Sequence, residues 1–198
     1  MTSHKQQLHE RIEAADIQVG IIGLGYVGLP LAHALHAGGA RVLGFDIDPA
    51  KVDALGRGAS CLSHIADHVY TELAESGRFQ ATDDFSRLAA PDVIIVCLPT
   101  PLGAHREPDL NYVVKAGRQI GECLRAGQLV ILESTTYPGT TRREFADAIE
   151  QGLSTRNLEL ESGKDYFVAY SPEREDPGNK SHATRSVPKL VGGLDDDA

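Results

Sequence analysis

The chain has 198 residues and a net charge of −9, from 19 Lys and Arg against 28 Asp and Glu, a length that suits one domain with a full core. The acidic balance argues against nucleic acid or an anionic membrane as partner, since both need clustered Lys and Arg. No run approaches the ~20 apolar residues of a bilayer span, the polar N-terminus has no leader pattern, and the three separated cysteines read as reduced thiols, so the expectation is a cytoplasmic protein.

Residues Ser3 to Ala15 read as a short polar helix ahead of the fold proper. Gln18–Ile22 is the first strand, and Gly23, Gly25 and Gly28 follow it in GxGxxG spacing. The three glycines serve different physical ends. Gly23 permits the tight turn, Gly25 lets a pyrophosphate approach the backbone, and Gly28 lets the next helix pack close to the sheet. That helix, Val27–Ala37, turns its N-terminal N–H groups toward the phosphates. Arg41–Phe45 is the second strand and ends in Asp46, about twenty residues beyond the turn, where a carboxylate can accept from both ribose hydroxyls of an adenosine. The alternative, that Asp46 only caps a strand, loses weight once the glycine turn is considered. The same carboxylate repels a 2′-phosphate and so favours NAD over NADP.

Further along, Pro49–Leu55 is a helix with proline in its first turn, Ile65–Ser76 another helix, and Arg78–Ala81 an extended piece. Val93–Leu98 is almost purely apolar, as expected of a strand covered on both faces. Asp109–Leu124 is a helix, Leu129–Glu133 a buried strand, and a further helix starts near Thr141, where Thr141 and Glu144 have capping-box spacing. Tyr166–Tyr170 and Lys189–Val191 are the last strand candidates. Strands alternating with helices in this way predict an α/β, Rossmann-type, doubly wound and mainly parallel sheet with helices on both faces. In such a sheet the ligand lies beyond the carboxyl ends of the strands. Hydroxyls and carboxylates gather there, in Cys97-Leu98-Pro99-Thr100-Pro101, Glu133-Ser134-Thr135-Thr136-Tyr137-Pro138-Gly139 and Ser171-Pro172-Glu173-Arg174-Glu175.

At these strand ends the chain resembles the UDP-glucose/GDP-mannose dehydrogenase family. Gly-Leu-Gly-Tyr-Val-Gly-Leu-Pro, Phe-Asp-Ile-Asp, Leu-Pro-Thr-Pro-Leu, Glu-Ser-Thr-Thr-Tyr-Pro-Gly-Thr-Thr and Tyr-Ser-Pro-Glu-Arg-Glu-Asp-Pro-Gly-Asn occur in the family's order between Ile17 and Gly193. The last two phrases are most similar to the branch that oxidises UDP-N-acetylhexosamines, UDP-N-acetylglucosamine above all. The resemblance implies oxidation of a C6 alcohol to a carboxylate with two NAD⁺, in the supply of uronic acids for surface polysaccharides. It also implies that Tyr26 and Val27 line the pyrophosphate turn, that Asp46 and Lys51 hold the adenosine ribose, and that Thr100 and Thr135 contact the cofactor. Thr135 would further position a water or stabilise oxyanion character at C6, and Glu173 would do acid/base work or order the hydrolytic water. A second family glutamate falls on Pro177 here, with Glu175 nearer, so that role passes to neither.

The family's catalytic cysteine, in a Gly-Gly-His-Cys type of motif, and its partner lysine and asparagine do not occur in the sequence. The expectation is therefore a cofactor-binding piece of a longer enzyme, with a helical extension over 1–15, an NAD-binding domain over 16–193 and an acidic tail over 194–198. It should bind NAD and lack full turnover alone, while a complete enzyme would be a homodimer acting on a UDP-sugar. Two other readings stay open: an NAD-sensing module without catalysis, and a different two-domain NAD dehydrogenase.

Blander readings stand beside several residues. Cys61, Cys97 and Cys123 read as small core hydrophobes rather than nucleophiles. Cys61, His64 and His68 have helix-like spacing but no evident fourth ligand, so no metal is expected. Lys51 reads equally as a solvated helix lysine. Thr135 could serve only the backbone at a strand end.

Overall fold

The computed structural model describes residues 3–63, 65–103, 107–172 and 189–198. The helices are α1 (His4–Glu13), α2 (Gly28–Ala37), α3 (Pro49–Gly56), α4 (Asp67–Glu75), α5 (Asn111–Cys123) and α6 (Ala146–Ser154). The strands are β1 (Gln18–Ile22), β2 (Arg41–Phe45), β3 (Phe79–Thr82), β4 (Val93–Val96), β5 (Leu129–Leu132), β6 (Phe167–Tyr170) and β7 (Gly192–Gly193). They form one sheet in the order β3-β2-β1-β4-β5-β6-β7, parallel throughout except for β7, which runs antiparallel to β6. This is the doubly wound arrangement that the alternating pattern predicts, and its order reverses between β1 and β4.

The central strands are apolar on both faces because both are covered. One face buries Val19, Ile21, Val42 and Ile95 against Leu8 of α1, Leu29 and Leu31 of α2, Leu55 of α3 and Tyr70 of α4. The other buries Ile22, Ile94, Val96, Val130 and Leu132 against Val113 and Ile120 of α5 and Ile149 of α6. The N-terminal helix thus joins the core through Leu8, where the sequence suggested only a polar extension.

Several local expectations need correction. Thr141 and Glu144 form no capping box: residues 141–145 make a π-helical turn without a side-chain cap. Phe145 N–H donates to the Thr140 carbonyl at 3.0 Å, and the Glu144 carboxylate accepts from the Tyr137 hydroxyl instead. The extra residue in that turn lets Phe145 reach the core, where it is fully buried. The last strand lies at Gly192–Gly193 rather than Lys189–Val191. A 3-10 turn over Phe85–Ala89, opened by the Asp84 side chain, was not anticipated from the sequence.

The amino end of the sheet is closed by one buried carboxylate. Asp92, 3% exposed, accepts from Gln18 N–H at 2.9 Å, from Arg11 of α1 at 2.5 Å and from Arg125 at 2.8 Å. Burial alone would raise its pKa, but the Gln18 N–H and the two guanidinium groups outweigh it and hold the carboxyl below the usual range. A depressed native pKa contributes stability that is present above the unfolded value, near 4, and lost as pH falls through the native one. Asp92→Asn is expected to cost about 2 kcal/mol at pH 7, because one amide hydrogen faces donors in a buried site. Urea unfolding should show that difference shrinking below pH 4; an equal loss at pH 3 and pH 7 would remove the assignment.

Candidate cofactor site

β1, β2, β4, β5 and β6 end in register at Ile22, Phe45, Val96, Leu132 and Tyr170. The ladder then runs one residue further. Asp46 N–H donates to Thr82, Gly23 to Phe45, Cys97 to Ile22, Glu133 to Val96 and Ser171 to Leu132, over 2.8–3.1 Å. Because side chains alternate along a strand, Asp46, Gly23, Cys97, Glu133 and Ser171 form a row across the rim. The row lies on the face that also carries α1 to α4.

Gly23 has φ of +93°, and a Cβ there would lie 2.5 Å from the Cys97 carbonyl oxygen. A Cβ on Gly28 would lie 1.8 Å from the Gly23 carbonyl oxygen, so only glycine lets α2 start against the strand end. A Cβ on Gly25 would meet no atom within 4 Å. Its lack of a side chain serves nothing inside the chain and leaves the backbone open from outside, which fits a phosphate-bearing ligand. The N-terminus of α2 carries no side-chain cap, as a helix end that receives an anion should. Tyr26 is exposed beside it, whereas Val27, partly buried, packs against the core.

Asp46 is 7% exposed. Its Oδ2 accepts from Leu24 N–H at 3.0 Å and from Lys51 Nζ at 2.7 Å, and its Oδ1 from Asp48 N–H at 3.1 Å. A carboxylate has about four acceptor positions, so Oδ1 keeps one open for a hydroxyl. The reading of Lys51 as a solvated helix lysine gives way here: α3, capped by Asp48 on Ala50 N–H, holds it half-buried against Asp46. Ile47 next to them is exposed.

The other half of the rim is held by hydroxyls. Thr100 Oγ1 donates to the Thr135 carbonyl at 2.6 Å, which joins the exits of β4 and β5. Ser134, buried, reinforces the join: its Oγ lies 2.9 Å from the Leu98 carbonyl oxygen and 3.3 Å from Leu98 N. Thr135 itself is exposed. Glu133, 4% exposed, accepts from Lys189 Nζ at 2.5 Å. Sequence reasoning missed Ser134 as a staple, for which a buried serine between apolar strand ends was the available signal. It also missed the Glu133–Lys189 pair. Glu173, together with Glu175 and Pro177, lies outside the described residues.

The cysteines sit in the packing. Cys97 is buried in the core, and burial pushes the Cys61 and Cys123 thiols up, away from the thiolate form a nucleophile needs. His64 of the Cys61, His64 and His68 grouping lies outside the described residues, and no cluster able to hold a metal occurs among those that are described. No helix among them is long and apolar enough to cross a membrane. A depression of about 580 Å³ lined by Glu150, Leu153, Glu159 and Asp165 opens where the chain enters β6. That is the opposite end of the sheet from the glycine turn, so it is not the cofactor site.

Residues 17–198 match the NAD binding domain of the UDP-glucose/GDP-mannose dehydrogenase family. UDP-N-acetyl-D-glucosamine 6-dehydrogenase of Pseudomonas aeruginosa is 38% identical over 179 residues, covering 90% of this chain and 40% of that protein. UDP-N-acetyl-D-mannosamine dehydrogenase of Pyrococcus horikoshii is 34% identical, over 92% and 42% respectively. Among solved structures, NDP-N-acetyl-D-galactosaminuronic acid dehydrogenase from Methanosarcina mazei superposes with a TM-score of 0.83 at 30% identity, covering all of this chain and 42% of that one. The chain spans about two-fifths of the length of these relatives. With the glycine turn, the acidic strand end and the hydroxyl-lined rim all in place, it belongs to the UDP-glucose/GDP-mannose dehydrogenase family and is an NAD-binding domain of that family.

Proposed function

We propose that this domain serves a nucleotide-sugar 6-dehydrogenase that oxidises the C6 alcohol of a UDP-N-acetylhexosamine, UDP-N-acetylglucosamine first, to the uronic acid with two NAD⁺. The carrying observation is the rim itself, with the buried Asp46 carboxylate and its open acceptor position at one end and the Thr100–Thr135 junction at the other. On this reading Asp46 and Lys51 bind the adenosine ribose, and the Gly23–Gly28 turn with Tyr26 and Val27 receives the pyrophosphate. Thr100 orders the β4 exit under the cofactor. Thr135, whose carbonyl is fixed while its side chain stays exposed, offers a hydroxyl to the oxygen at C6. Glu173 is assigned acid/base work on the residue pattern alone. The substrate branch follows the P. aeruginosa relative, as does the expectation that this stretch alone does not turn over. A cytoplasmic homodimer, with 1–15, 16–193 and 194–198 as extension, domain and tail, completes the proposal. The sensing-module reading draws on the same two-fifths coverage, and activity in a longer chain decides between them.

Calorimetry on the 198-residue chain should find NADH bound and NADPH at least tenfold weaker. Asp46→Ala should weaken NADH about 10- to 100-fold, the worth of hydrogen bonds to a charged acceptor. Equal affinity for both dinucleotides, with Asp46→Ala silent, would sink the ribose assignment. For the reaction, residues 1–198 can replace the matching segment of the P. aeruginosa enzyme. That chimera should oxidise UDP-N-acetylglucosamine, and Thr135→Ala within it should lower kcat by about 10²-fold. A folded chimera that binds NAD and sugar yet oxidises nothing would favour the sensing module.

A further inference from the structure

The row across the rim carries two carboxylates, Asp46 after β2 and Glu133 after β5, three strands apart in the order β2-β1-β4-β5. At ~4.8 Å per strand that is about 14 Å. A dinucleotide with its ribose on Asp46 and its pyrophosphate over the β1 turn carries its nicotinamide past β4 toward the carboxyl end of β5, the strand end that Glu133 follows. This placement rests on the cofactor geometry proposed above. Glu133 is almost fully buried, and Lys189, which meets it, stands only a few residues before β7. The pair therefore ties the edge of the sheet to the exit of β5, one residue before Ser134 and two before Thr135.

A nicotinamide ring is a cation in NAD⁺ and neutral in NADH, so any fixed charge near it discriminates between the two forms. We infer that Glu133 and Lys189 set the balance between oxidised and reduced cofactor on this domain, the carboxylate favouring the cationic ring and the ammonium opposing it. Neither residue need touch the reacting atoms. Removing Lys189 takes one positive charge from this end of the rim whatever else the carboxylate meets, and removing the Glu133 charge does the reverse. A purely structural tie makes a different prediction, because breaking it from either side loosens the same segment and weakens both forms together.

The test is the ratio of NADH to NAD⁺ dissociation constants, measured by calorimetry on the whole chain. Lys189→Met should raise the ratio about fivefold and Glu133→Gln lower it by a similar factor, the effect of one unit charge through a solvated rim. The double variant should return to within about twofold of the wild type, and Lys189→Arg, which keeps the charge, should match it. Glu133→Gln is nearly isosteric and keeps the test available if Lys189→Met loosens β7. Asp46→Ala acts at the adenosine end and should weaken both forms by one factor, so an error in the ribose assignment appears there and leaves the ratio readable. A ratio unchanged in both single variants, or moved in the same direction by both, overturns the inference.

Discussion

The Gly28 start of α2 lies on the Gly23 carbonyl so closely that a single methyl group would fall 1.8 Å from its oxygen. That contact sets the height of the helix over the end of β1, and the rest of the rim follows from it. It leaves the uncapped N-terminus of α2 at the point where the strand order reverses. It also brings Leu24 N–H to within 3.0 Å of Asp46, so the acidic residue after β2 shapes the glycine turn while keeping an acceptor position on Oδ1. Asp46 in turn draws in Lys51 from α3. Turn, helix, carboxylate and lysine form one arrangement, and Gly28 permits it through a contact inside the chain.

The first unit was legible because every part of it is local. Strand period, glycine spacing and the position of Asp46 all fall within one short stretch, and the structure returns the same strand boundaries for β1 and β2. Features that depend on tertiary pairing were not legible. Thr141 and Glu144 have the spacing of a cap, but burying Phe145 inserts a π turn that turns Glu144 toward Tyr137. Lys189–Val191 has the composition of a strand, yet pairing with β6 begins only at Gly192. Lys51 could not be resolved from sequence because its role depends on whether α3 points it inward, which the Asp48 cap decides. Arg11 of α1, Asp92 just before β4 and Arg125 just after α5 meet from three distant parts of the chain, and no spacing rule brings such residues together.

The two ends of the sheet divide the work. At the amino end, Asp92, Arg11, Arg125 and the fully buried Gln128 satisfy one another and the carbonyls of Leu88 and Pro91. Buried polar groups of this kind fix one arrangement because any departure leaves a donor or acceptor unpaired. At the carboxyl end the pattern is looser: Ser134 and Thr100 hold the backbone, while Tyr26, Ile47, Leu102, Tyr137, Leu190 and Val191 remain exposed. A tightly closed amino end lets the opposite rim keep open polar positions and apolar surface without loss of the fold.

Charge explains why both rim carboxylates come with a lysine. The chain carries a net −9, and a dinucleotide brings two further negative charges on its pyrophosphate. Bare carboxylates at Asp46 and Glu133 would oppose the approach of such an anion to the rim. Lys51 at 2.7 Å and Lys189 at 2.5 Å offset part of that field, while Asp46 Oδ1, which accepts from Asp48 N–H, keeps an acceptor position. The pairing at Asp46 is formed within five residues of sequence and comes with the α3 cap. The pair that Glu133 makes with Lys189 joins residues 56 apart in sequence, so this ion pair forms only once the chain beyond β6 has come back to the rim.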